Sequence, residues 1–132
     1  MARHSLAIQT VLAVFHEDQD RQTINTILEP CCKVIFARNV HEAWAVLQSE
    51  RVAVVISDAR FPGGTWKDLL LKLQQSAHPQ PLVVADRLAD CQLWSEVLNL
   101  GGYDLLLKPF DSHEVLRTLT LACRVRPKTA SA

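Results

Sequence analysis

The sequence predicts an α/β fold, a doubly wound parallel sheet of five strands with five helices. Three observations carry that expectation. The stretch Val52–Ser57 is an unbroken, largely β-branched apolar run, the habit of a strand covered on both faces. It ends in one carboxylate, Asp58, and Pro62, Gly63 and Gly64 then force a loop before another helix can start. Along the rest of the chain, short apolar runs alternate with segments of helical periodicity, the pattern of repeated strand–crossover–strand units.

The elements follow in order. Thr10–Phe15 is the first strand, and the acidic stretch after it places Asp18 or Asp20 to cap a helix. Ile24, Ile27 and Leu28 recur at helical spacing until Pro30 stops that helix. Val34–Ala37 is the second strand. Asn39 caps a helix over Val40–Gln48, with Ala43, Val46 and Leu47 inward. After the central strand comes a helix over Trp66–Gln75 with Leu69, Leu70 and Leu73 as its apolar stripe, then a linker at Ser76–Pro81. Leu82–Ala85 is the fourth strand, followed by a helix from Leu88 to Leu100 closed by Gly101 and Gly102. Asp104–Leu107 is the fifth, ending at Lys108-Pro109-Phe110, and Asp111 or Ser112 caps a last helix carrying Val115, Leu119 and Ala122. Parallel crossovers are right-handed, so the natural arrangement is the flavodoxin-like order 2-1-3-4-5. One domain over residues 10–125 is expected, between a tail at 1–9 and a frayed tail at 126–132.

Composition narrows the function. A chain of 132 residues with 48% hydrophobic residues makes one well-filled core. Its net charge of zero offers no basic face for nucleic acid. No apolar run approaches the roughly 20 residues that span a bilayer, and the opening residues lack the apolar core of a secretory signal. The four cysteines (Cys31, Cys32, Cys91, Cys123) show no metal-type spacing and read as free thiols, so a cytoplasmic protein is expected.

In the predicted order the carboxyl ends of the first and third strands share a crevice, beside those of the fourth and fifth. It would hold Phe15, His16, Glu17 and Asp18, then Asp58, Asp86 and Lys108. A lysine facing a carboxylate there is either a rim salt bridge or the holder of an anion, and converging carboxylates suit magnesium, which prefers oxygen ligands. Lys108 precedes a proline, which keeps its backbone extended and aims its side chain across the rim.

These features together resemble the receiver domain of two-component response regulators. The matching segments are Ser57-Asp-Ala-Arg-Phe-Pro62 and Gly101-Gly-Tyr-Asp-Leu-Leu-Leu-Lys-Pro-Phe110, with the first strand, its acidic loop and Arg21 also in place. The resemblance covers about residues 10 to 125. It implies that Asp58 accepts a phosphoryl group from a histidine kinase or phosphotransfer protein, and that Lys108 contacts the phosphoryl oxygens. It further implies that Mg2+ is held by Asp58, the backbone carbonyl of Arg60 and acidic residues after the first strand, Glu17 among them. The output would be protein contact, not catalysis.

Three positions depart from the family pattern. Phe15 and His16 stand where two adjacent acidic residues are usual. Asp86 stands in place of the hydroxyl residue ending the fourth strand, where its charge would repel a phosphoaspartate or pair with Lys108. Leu105 replaces the aromatic of the fifth strand. The reading is therefore an atypical receiver, with phosphorylation at Asp58 set against a phosphorylation-independent module for partner binding or homodimerisation. The helix over 88–100 carries two stripes, Leu93/Val97/Leu100 and Trp94/Leu98. One suffices for burial, so Trp94 and Leu98, with Leu105, mark an interface. Trp66 stands beside the Asp58 loop as a lid or an obstacle to access, and Trp44 as packing. A small enzyme or nucleotide binder is the remote alternative, because Phe15-His-Glu-Asp18 is acidic where a phosphate-binding loop would be glycine-rich. With little chain beyond Cys123, a single-domain protein is expected.

Overall fold

The central strand β3 (Val54–Asp58) is buried at every residue, as a strand with helices on both faces must be. The computed structural model describes residues 9–88 and 90–124. Around β3 lie β1 (Thr10–Val14) and β2 (Lys33–Ala37) on one side, and β6 (Leu82–Asp86) and β7 (Asp104–Leu107) on the other. The order β2-β1-β3-β6-β7, parallel throughout, is the predicted one. Successive residues of a strand face opposite ways, so β1 sends Val11 and Ala13 to one core and Leu12 and Val14 to the other. The first core is covered by α1 (Asp18–Leu28) and α5 (Ser112–Cys123). The second is covered by α2 (Val40–Ser49), α3 (Trp66–Gln74) and α4 (Cys91–Leu100).

Local chemistry explains most boundaries. Asn39, Asp90 and Asp111 each accept a backbone N–H three residues on, starting α2, α4 and α5. At α3, Thr65 and Asp68 form a reciprocal capping box. Gly101 ends α4 in a left-handed conformation, φ +112°, which favours glycine.

Several expectations are corrected. The α4 helix begins at Cys91 rather than Leu88, because Asp90 supplies the cap while the Leu88 N–H bonds back to Asp86 Oδ2 at 3.2 Å. Glu17 takes the cap position of α1 without a side-chain bond, and neither Asp18 nor Asp20 caps it. The loop after Asp58 holds an unforeseen hairpin of β4 (Arg60–Phe61) and β5 (Gly64–Thr65), turning at Gly63 with φ +84°. Trp66 is a core residue under that loop, neither lid nor obstacle. Leu100 is exposed, whereas its stripe-mate Val97 is buried. Residues 1–8 and 126–132 of the expected tails lie outside the described residues. Among the described residues, no helix is long and apolar enough to cross a membrane.

Candidate functional site

The carboxyl edge of the sheet gathers the site. Asp58 is the last residue of β3, pinned there because Ala59 N–H donates to Ala85 O of β6 at 3.0 Å. Lys108 follows β7 and is anchored through its own N–H to Asp86 O at 3.0 Å, with a cis peptide to Pro109. From the other side comes Asp20, buried on the first turn of α1. The Lys108 ammonium donates to both carboxylates, to Asp20 Oδ2 at 2.7 Å and to Asp58 Oδ1. All three side chains are less than a tenth exposed, Lys108 at 7%, Asp20 at 9% and Asp58 at 5%.

Phe15 is fully buried directly after β1, its ring edge-on to Phe110 at 5.9 Å and 5.5 Å from the Lys108 ammonium. The loop behind it is stitched down by two guanidinium groups. Arg21 donates to Phe15 O at 3.3 Å, and Arg38 to His16 O at 3.4 Å. The His16 Nδ1 lies 3.4 Å from Asp58 Oδ2, and neither of these buried atoms has a hydrogen-bond partner.

The electrostatics follow from a count of charges. One ammonium between two carboxylates leaves the buried cluster with an excess negative charge. Burial pushes the Asp58 carboxyl above its ordinary value, against the hydrogen bond from Lys108, and the charge of Asp20 adds to the rise. Burial works to lower the Lys108 ammonium, but its hydrogen bonds to Asp20 and Asp58 outweigh that and hold it above its ordinary value.

The other expected site residues are scattered. Glu17 is exposed and lies 3.8 Å from Arg87, and Asp18 lies 3.7 Å from Arg38. Asp86 ends β6 but does not pair with Lys108, whose two bonds go to Asp58 and Asp20; its carboxylate makes the turn to Leu88 instead. Arg60 sits in the β4–β5 hairpin with its side chain exposed, in register with Thr65. Trp94 and Leu98 stand one turn apart on α4 and Leu105 lies on β7, and Trp94 and Leu105, but not Leu98, line a groove of about 250 Å³ with Asp90, Cys91, Leu107 and Glu114. Asp20 is the member sequence reasoning missed. The signal was its spacing, because Asp20, Ile24 and Leu28 form the buried stripe of α1.

The sequence pattern of the response regulator receiver domain matches residues 11–120. The chain belongs to that family. Receiver domains are signalling modules of two-component systems. The chain is 33% identical over 91 residues to the response regulator protein PilR of Pseudomonas aeruginosa, covering 68% of this chain and 20% of that protein. It is 25% identical over 112 residues to the transcriptional regulatory protein DpiA of Escherichia coli, covering 85% of this chain and 47% of that one. The chain thus spans less than half the length of these relatives. A putative response regulator from Chloroflexus aurantiacus superposes with a TM-score of 0.81 at 20% identity, over 89% of this chain and 99% of that one. The chemotaxis response regulator CheY4 of Vibrio cholerae superposes with a TM-score of 0.78 at 25% identity, over 87% and 98%.

Receiver domains typically bind Mg2+ at the phosphorylation site. With Lys108 in place, the donors in this receiver do not fit that ion. Magnesium takes six oxygens at about 2.0–2.1 Å, several of them water. Here Phe15 offers no oxygen, Glu17 is turned to Arg87, and Lys108 engages both buried carboxylates. Among the described residues, no three His, Cys, Asp or Glu side chains are arranged to hold a metal.

Proposed function

We propose that this receiver acts in two-component signalling as an atypical module that works by protein contact without a phosphorylation switch. The observation that carries the reading is the buried bridge Asp20–Lys108–Asp58, which holds the would-be phosphoacceptor in one arrangement. Taking the ammonium out of this bridge would strand two buried carboxylates, and leaving a buried charge without its partner costs about 3–5 kcal/mol. The neighbouring substitutions point the same way. Asp86 offers a charge where a hydroxyl would receive the phosphoryl oxygens, and Leu105 lacks the ring that would follow that hydroxyl.

The contact surface is the face of α4, β7 and α5. Trp94 is 49% exposed, Leu98 37% and Leu107 50%, an apolar patch beside the Leu105 groove. A target protein, a histidine kinase or phosphotransfer protein, or a second copy of the chain would bury it.

One feature favours a second reading, in which Asp58 accepts phosphate. Asp58 and Lys108 meet across β3 and β7, as phosphoryl transfer to a carboxylate requires. Intact mass after incubation with a small-molecule phosphodonor and magnesium tests both. An unchanged mass is expected. Addition of one phosphoryl group, abolished by Asp58→Asn, would establish the second reading in place of the first.

A further inference from the structure

We infer that the Lys108 ammonium sits in the cation seat of this site, positioned by Asp20, so that the chain carries its own single positive charge where a divalent ion would otherwise be held. This deepens the reading of a site held in one arrangement and rests on it. The measurement below reads cation binding, not phosphate or partner contact, so either can fail alone.

Three observations converge. The first is the source of the second acid. The position directly after β1 is Phe15, wholly buried, while the carboxylate facing Asp58 arrives from Asp20, five residues later and one turn into α1. An acid in that place reaches the ammonium at 2.7 Å and is nearly as dry as Asp58 itself. Asp20 therefore acts through Lys108, as a positioning residue.

The second is the shape of what surrounds the ammonium. On one side are two carboxylate oxygens from different elements, and on another the Phe15 ring at 5.5 Å. A ring face and two oxygens suit a compact organic cation, which gains from the π quadrupole. With the ammonium in place, neither carboxylate is left free for the one or two carboxylate contacts by which a divalent ion is usually held.

The third is the charge count. Two carboxylates and one ammonium leave a single excess negative charge, and Asp58 Oδ2, buried 3.4 Å from His16 Nδ1, lacks a hydrogen-bond partner. A divalent ion added to this cluster would overshoot neutrality while competing with Lys108 for the same oxygens. Removing Lys108 changes the arithmetic, because two buried carboxylates would then face an emptied position that a divalent ion neutralises.

The test follows from that last step. Thermal unfolding of the full chain is followed while MgCl2, CaCl2 or MnCl2 is titrated at constant ionic strength, for the wild type, Lys108→Met and the double variant Lys108→Met/Asp20→Asn. The wild type should show no saturable rise in midpoint. Lys108→Met should gain one of about 4 °C at ten times its Kd, and the double variant should lose it. A purely structural role for Asp20 would leave the gained response intact. Should Lys108→Met fail to fold in cation-free buffer, recovery of the folded state by about 10 mM of a divalent salt is the same gain. Failure to recover with any of the three ions overturns the inference. So do saturable magnesium binding by the wild type, a flat response in folded Lys108→Met, or a response that survives in the double variant.

Discussion

Asp58 is a carboxylate the fold would sooner keep neutral. Burial raises it, and the single ammonium beside it is shared with Asp20. Its ionised form therefore costs the folded state at neutral pH. Asp58→Asn keeps the shape, leaves the Lys108–Asp20 pair balanced and should raise stability by about 1 kcal/mol, the low end of the gain found when buried ionic groups give way to uncharged ones of similar volume. Chemical denaturation would read this as a higher midpoint at unchanged slope; a lower midpoint would mean that the bond to Lys108 outweighs the excess charge. The thiols make a second residue-scale case. Burial pushes Cys32 and Cys123 from 9.0 to about 11, with Cys31 and Cys123 adding to the effect on Cys32. A raised group favours the folded state below its unfolded value and loses that contribution as pH climbs to the folded one. Stability should accordingly fall between about pH 9 and about pH 11, and the decline should shrink in Cys32→Ser/Cys123→Ser. Alkylation at pH 8 should reach exposed Cys91 well before either of them; early labelling of Cys32 would contradict its burial.

At the scale of elements, caps and strand ends aim the site. The α3 helix starts immediately after the β4–β5 hairpin that carries the chain away from Asp58, and its capping box joins Thr65 to Asp68. The Trp66 N–H bonds to Ala59 O at 3.0 Å, so the cap and the residue after Asp58 belong to one hydrogen-bonded unit. Thr65→Ala should cost about 1 kcal/mol and speed hydrogen exchange at Trp66 and Lys67, loosening the loop nearest Asp58. Unchanged exchange there would separate the cap from the site. The α1 helix shows the opposite economy. Its cap side chain makes no bond, while the acid that might have capped it is turned inward to Lys108. Helix stability is given up at an end where the site gains an anchor.

Across the whole molecule, the sheet separates a polar edge from an apolar flank. The carboxyl edge holds the buried charge cluster, and the α4–β7–α5 flank exposes Trp94, Leu98 and Leu107. Trp94 is half exposed, so Trp94→Glu should move the unfolding free energy by no more than about 0.5 kcal/mol. It should nonetheless abolish self-association in sedimentation velocity, or partner capture in a pull-down with a cognate kinase. A variant that associates as the wild type does would remove this flank from the proposal.

Much of this was legible from the chain alone. Short unbroken apolar runs and stripes near period 3.6 determined the five strands of the sheet and the five helices, and the handedness of parallel crossovers determined their order. A lysine before a proline and an aspartate at a strand end likewise marked the crevice, because both lie where strands stop. Whether Lys108 would meet Asp58 or Asp86 was not legible, since both acids end strands that flank the same opening. Only packing decided it, by bringing Asp20 from α1 within 2.7 Å of the ammonium and leaving Asp86 to bond the Leu88 N–H. Local pattern sets which elements form and in what order. Which two of Asp20, Asp58 and Asp86 share a buried ammonium depends on distances of an ångström or two between residues 88 and 50 positions apart, and those exist only once the helices have docked on the sheet.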